Sequence, residues 1–212
     1  MKKKKLSILF LLVLVLLAVT IVYLATTYAR YRGVATGTGE VQVAKWSVQV
    51  NNQSLVAGPG QVALGTITLT PVANANVAKD RIAPDVTATT EFEIDPTGAE
   101  VAIAYEFTLG TIVSVPAGSV PTDFEVTKVE ATVGGTTTTV TPTAGKYIGT
   151  IELPTTGSDK TAMTATEKVT VKVTAKWTNV EANNNLDTAV GIAAPKLQIP
   201  VNVTVKQKLA TD

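Results

Sequence analysis

The chain has no cysteine and no histidine among its 212 residues. Without cysteine there is no disulfide framework and no thiolate metal site. Without histidine the usual zinc ligand and the usual general base near neutral pH are missing as well. Any catalysis would run on carboxylates, Lys, Ser, Thr or Tyr alone, so the expectation is a protein that is not an enzyme and holds no cofactor or metal. Aromatic residues are scarce, at 5%. Beyond Ala25 no stretch keeps an apolar period near 3.6, which leaves little helix to expect. A dominant charge is lacking too. The net charge is +1, and removing the four lysines Lys2, Lys3, Lys4 and Lys5, with no acid among them, leaves −3. That balance is too weak and of the wrong sign for a nucleic-acid partner.

What the chain does have begins with a basic tip and an apolar run from Leu6 to Ala25. This is the layout of a secretory signal. Thr27 and Ala29 put small side chains where a signal peptidase reads, so cleavage is expected between Ala29 and Arg30. The apolar run, at about 1.5 Å per residue, spans roughly 30 Å as a helix, enough to cross a bilayer. An uncleaved membrane anchor is therefore the alternative. The expected organisation is a signal or anchor over 1–29, an extended segment over 30–40 and a β domain over 41–212. The destination is extracellular or at the cell surface, with membrane contact only through the N-terminal segment.

After that segment the enriched residues are Val and Thr, which suit strands. Val41, Val43, Trp46, Val48 and Val50 alternate with a phase shift at Ala44–Lys45, which predicts a strand with a β-bulge. Ile67 and Leu69 mark a second strand ended by Pro71, and 71–86 reads as a long loop. Phe92 and Ile94 oppose Glu91, Glu93 and Asp95 on the next strand. A turn at Asp95–Gly98 then leads to Val101, Ile103, Tyr105, Phe107 and Leu109, so the pair reads as an antiparallel hairpin. A second hairpin is predicted from Phe124–Val133 through Gly134 and Gly135 to Thr136–Thr141. Strands follow at Tyr147–Leu153 and Glu167–Thr178, the latter with Val169, Val171, Val173, Ala175 and Trp177 inward. A loop is expected over 179–195. The last strand carries Leu197, Ile199, Val201, Val203 and Val205, with Pro200 on the other face marking a sheet edge. Eight or nine short alternating strands predict an all-β antiparallel sandwich or jelly roll.

Several pieces of this sequence are familiar in their order. They are Tyr28-Ala-Arg-Tyr31 after the apolar run, Val43 to Asn51 (VAKWSVQVN) and Ile82-Ala-Pro84. Next come Phe92-Glu-Ile-Asp95, Thr97 to Tyr105 (TGAEVAIAY) and Trp177. The last are Leu186 to Gly191 (LDTAVG) and the Val-rich strand to Gln207. On these the chain resembles the TasA-like and camelysin-like exported bacterial proteins that form extracellular, biofilm-matrix fibres. Asp85 departs from the pattern, since similar proteins have Gly after the Pro of Ile-Ala-Pro. The resemblance implies a jelly-roll subunit, released by a signal peptidase, whose freed N-terminus fills a gap in the sheet of the next copy. The partner is then the chain itself, in a homopolymeric filament. The expected donor strand carries Arg30, Tyr31, Gly33, Val34, Ala35, Gly37, Gly39, Val41 and Val43.

A flexible tether and an intramolecular edge strand remain alternative readings of that segment, because residues 30–39 alternate weakly. A membrane-anchored surface module for adhesion or binding, which does not polymerise, is the alternative function. Camelysin-like proteins have been classed as metallopeptidases, but a zinc peptidase needs a His pair on a helix with a Glu base. Glu91, Glu93 and Asp95 lack calcium-loop spacing and read as a solvated strand face. Asp187 and Thr188 match a recurrent family motif that a turn or a helix cap explains equally well. Trp46 and Trp177 lie in phase with core residues.

Overall fold

The structure, a computed structural model, describes residues 14–21, 43–55 and 60–209. The chain divides into two compact units, Met1–Ala44 and Lys45–Asp212. In the first, residues 14–21 are helical and exposed. Among the described residues no helix is long and apolar enough to cross a membrane.

The second unit is built from strands. They are β1 (Gln49–Val50), β2 (Gln53–Ser54), β3 (Gly60–Thr68), β4 (Thr70–Pro71), β5 (Thr87–Asp95), β6 (Ile103–Leu109) and β7 (Val113–Val115). They continue as β8 (Phe124–Val133), β9 (Thr136–Thr139), β10 (Tyr147–Ile151), β11 (Thr155–Thr156), β12 (Asp159–Lys160), β13 (Val169–Trp177) and β14 (Lys196–Gln207). One sheet runs β2-β1-β5-β13-β8-β9, with β4 also on β5. The other runs β10-β6-β14-β3, with β7 also on β14, and β11-β12 form a small separate ribbon. All pairings are antiparallel. The fold is thus an all-β sandwich whose two sheets share one core. It has more segments than the eight or nine expected, because several predicted loops contain two-residue strands.

The alternation of the central strands produces this core directly. Val169, Val171, Val173, Ala175 and Trp177 on β13 are all buried, as are Leu197, Ile199, Val201, Val203 and Val205 on β14. Phe92 on one sheet meets Phe107 on the other edge to face, with centroids 5.2 Å apart. Tyr147 stacks on Phe107 from β10 at 4.8 Å. The predicted hairpin of β8 and β9 is present. Gly134 and Gly135 sit at φ 56° and 79°, the pair of left-handed conformations that a two-residue hairpin turn requires.

Four expectations are corrected. First, β5 and β6 are not a hairpin, for they belong to different sheets. The Asp95–Gly98 turn carries the chain across the core, and alternation alone does not distinguish a neighbour in the same sheet from one in the facing sheet. Second, of the described part of the predicted strand 41–50, residues 43–50, only Gln49–Val50 joins a ladder, and no bulge forms at Ala44–Lys45. Lys45 instead exchanges backbone and side-chain hydrogen bonds with Glu100, its C=O accepting from the Glu100 N–H and its N–H donating to the carboxylate.

Third, the loop expected over 179–195 contains a helix, α1 (Asn184–Ala193), after a single 3₁₀ turn at Glu181–Asn183. Of its residues only Asp187 and Val190 are buried, while Leu186 and Ile192 face solvent, so there is no apolar stripe to read. Fourth, Pro200 lies in a strand with neighbours on both sides, not at an edge. The ladder breaks beside it, because β7 pairs with β14 up to Gln198 and β6 starts only at Val201. The Pro200 C=O accepts from the Gly110 N–H in that break. The missing proline N–H therefore faces the β6–β7 connection, where it interrupts no ladder.

Candidate functional site

Thr27, Ala29, Arg30, Tyr31, Gly33, Val34, Ala35, Gly37, Gly39 and Val41 lie outside the described residues, so both the processing site and nearly all of the expected donor strand do. Val43 is described; it is 75% exposed and in no strand. What the structure does describe is the set of sheet edges that such a strand would meet.

The flank of β5 away from β13 is interrupted, covered only at its two ends. β13 pairs with β5 continuously from Thr87 to Ile94. On the opposite flank β1 reaches only Ile94 and Asp95, and β4 only Ala88 and Thr89. Among the described strands none pairs with Thr90, Glu91 or Phe92 there. The hydrogen bonds on either side set the phase. Val72 donates to the Thr87 C=O and Asn51 donates to the Glu93 C=O. Odd-numbered residues of β5 therefore turn their backbone groups to this flank, and Glu91 presents its N–H and C=O in the interval. The β1 and β4 segments beside it are each two residues long.

The side chains of the same strand explain its acidic face. Glu91 stands opposite Lys172 in register, with Nζ 3.8 Å from the carboxylate. Lys168 reaches both Glu93 and Asp95 at 3.3 Å. These are cross-strand ion pairs on a partly wet surface. Among the described residues no group of three or more Asp, Glu, His or Cys gathers as a metal would require. Burial works to raise the Asp95 carboxyl. Hydrogen bonds from the Thr97 hydroxyl at 2.5 Å, the Thr97 N–H at 3.0 Å and Lys168 outweigh it, so its pKa lies below the ordinary carboxylate value. Lys168 is correspondingly raised by its bonds to Glu93 and Asp95. Burial also pushes the Tyr105 and Tyr147 phenols up.

Asp187 is the residue whose setting the sequence did not reveal. It lies in the first turn of α1, is 6% exposed, and neither carboxylate oxygen has a hydrogen-bond partner. It is not the helix cap. Thr188 beside it donates its hydroxyl to the Asn184 C=O within the helix. Trp177, the last residue of β13, is 2% exposed, and its indole N–H also has no acceptor. Trp46, by contrast, donates its indole N–H to the Leu55 C=O at 2.8 Å. Compared with known proteins, the chain matches no protein-family model and no curated sequence.

Proposed function

We propose that this chain is a secreted structural subunit, a jelly-roll protein that polymerises head-to-tail into extracellular or biofilm-matrix fibres. The N-terminal segment, from about Arg30 to Val43, is released by a signal peptidase and adds as a strand to the sheet of the next copy. The observation that carries this reading is the interrupted flank of β5, between the two-residue strands β1 and β4. A sheet edge with unsatisfied backbone groups recruits a strand from another chain, main-chain hydrogen bonds giving affinity and alternate side chains giving register.

At a net ~1 kcal/mol per hydrogen bond, the Glu91 interval alone offers about 2 kcal/mol. A strand that displaced β1 and β4 and ran along all of Thr87–Asp95 would form about eight bonds but break those that β1 and β4 already make, a net gain of roughly 2–4 kcal/mol before ordering costs. The short strands are thus placeholders that a longer partner outcompetes. Such a contact is heterologous and does not close on itself, so it builds filaments.

The absence of native cysteine makes a direct test clean. Exported protein carrying Val34→Cys and Glu91→Cys should form disulfide-linked ladders between copies under mild oxidation, and neither single variant should. Deleting residues 30–39 while keeping export should leave monomer and no filaments by negative-stain microscopy. Filaments that persist after the deletion would refute the donor assignment. Exported protein that retains Met1 by mass spectrometry and stays monomeric would point instead to the membrane-anchored surface module.

A further inference from the structure

Beside α1 the β domain forms a half-open cavity of about 710 Å³, a size suited to a small-molecule ligand. Its apolar wall is formed by Leu69, Ile82, Trp177, Val190 and Leu197, and its charged rim by Lys79, Arg81 and Lys196 with Asp80. All four rim residues are exposed. Among the described residues no ion pair involves the side chains of Lys79, Arg81 or Lys196. Lysine and arginine are donors without acceptor capacity. Apart from Asp80, the cavity therefore offers positive charge and donors over an apolar floor. Trp177, on the cavity wall, carries a buried donor without an acceptor, which a native fold rarely does.

We infer that this cavity is a binding site for a small carboxylate with an apolar body, its anionic head on the Lys79, Arg81 and Lys196 rim and its body against Ile82, Leu69 and Val190. A cation of the same shape meets a rim of like charge, and a neutral apolar molecule leaves the rim donors unanswered. The indole nitrogen of Trp177 is sealed at present. The ligand head stays on the rim, and the Trp177 ring, which lines the cavity, senses the bound body. This site is independent of fibre assembly, since it uses neither the N-terminal segment nor the flank of β5.

The two tryptophans supply the readout. In the ¹⁵N spectrum of the full chain in nanodiscs the indole N–H signals report Trp177 and, as an internal control, the bonded Trp46. Titration with 3-phenylpropionate should move the Trp177 signal saturably and leave Trp46 in place. 2-Phenylethylamine at equal concentration should move neither. Arg81→Gln with Lys196→Gln should weaken the response at least fivefold. Gly191 lines the cavity, and a side chain added there meets nothing within 4 Å. Gly191→Leu should therefore occupy the space and abolish the response while thermal unfolding is unchanged. The site is refuted if Trp177 does not respond to the carboxylate or responds equally to the amine. It is also refuted if the response survives both the charge removal and Gly191→Leu.

Discussion

Phe107 is where the two sheets are most directly tied, and truncating it measures how much of the stability depends on that tie. Its ring is 1% exposed and makes an edge contact with Phe92 across the core and a stacked contact with Tyr147 on the neighbouring strand. Phe107→Ala removes the transfer free energy of the ring and leaves a cavity, a loss of about 3–5 kcal/mol. Each aromatic pair is worth about 0.5–1.5 kcal/mol beyond burial, and part of that is included in the same loss. With a domain of this size moving ~2–4 °C per kcal/mol, the melting temperature should fall by roughly 6–20 °C. Phe107→Leu keeps most of the apolar volume and should lose roughly 1–2 kcal/mol. Circular dichroism of the thermal transition gives both values. A cycle of Phe92→Leu and Phe107→Leu should show a coupling of about 0.5–1.5 kcal/mol between the sheets. If Phe107→Ala lowers the midpoint by less than about 3 °C, the ring is not part of a packed sandwich core.

Asp95 should make the fold acid-sensitive. Its folded pKa lies below the unfolded value, so its contribution is present above the unfolded pKa and is lost as pH falls through the folded one, below about pH 4. Asp95→Asn should therefore flatten the fall in denaturation midpoint in that acid window, and an unaltered acid slope would contradict the assignment. Gly149→Ala places a methyl group inside the ring of Tyr105, and should destabilise by about 1–3 kcal/mol in urea unfolding, because the ring must leave its packed position. Asp187→Asn should leave stability unchanged or raise it by about 1 kcal/mol, since the carboxylate is buried with neither oxygen bonded and an uncharged amide loses less on burial. A clear destabilisation in the same assay would mean that the acid has a partner.

The long alternating strands were legible because each buried face is regular. Leu197 to Val205 and Val169 to Trp177 mark their inward residues with no exception. The same rule is silent on which strand lies beside which. β5 and β6 alternate equally well as a hairpin or as two facing walls, and it is the strand pairing and the Phe92–Phe107 contact that show them facing each other. β3 was half missed for a related reason. Its register slips opposite Val201 and Asn202, and Gly65 takes φ 69° at the slip. Val62 and Ile67 therefore fall on either side of a bulge and do not share one alternation. At Leu69, whose N–H bonds to the Leu197 C=O, the chain leaves β14 and begins to pair with β5 as β4. A strand that serves two sheets cannot display a single period.

The candidate site follows the same division. In the proposed assembly the donor half is a chain segment, and the weak alternation of residues 30–39 leaves its sequence readable as a strand or as a tether. The acceptor half has no sequence signature at all. Glu91 is one of three alternating acids, and nothing in its neighbours reports that β1 and β4 stop short of it. That interval exists because the chain before β5 spends its residues elsewhere. Asn51 and Asn52 turn at φ 48° and 65°, folding the chain back as β2 on β1. The following strand then runs along β14 and does not join β5 until Thr70. An opening of this kind is a property of topology, set by where two neighbours end. Substitutions at the Asn51–Asn52 turn should therefore change assembly with the sequence of β5 left unaltered. Asn52→Pro, whose ring excludes the positive φ, should loosen β1 and β2 and speed filament growth in a light-scattering assay. Slower growth would mean that β1 is part of the docking surface and not an obstacle to it.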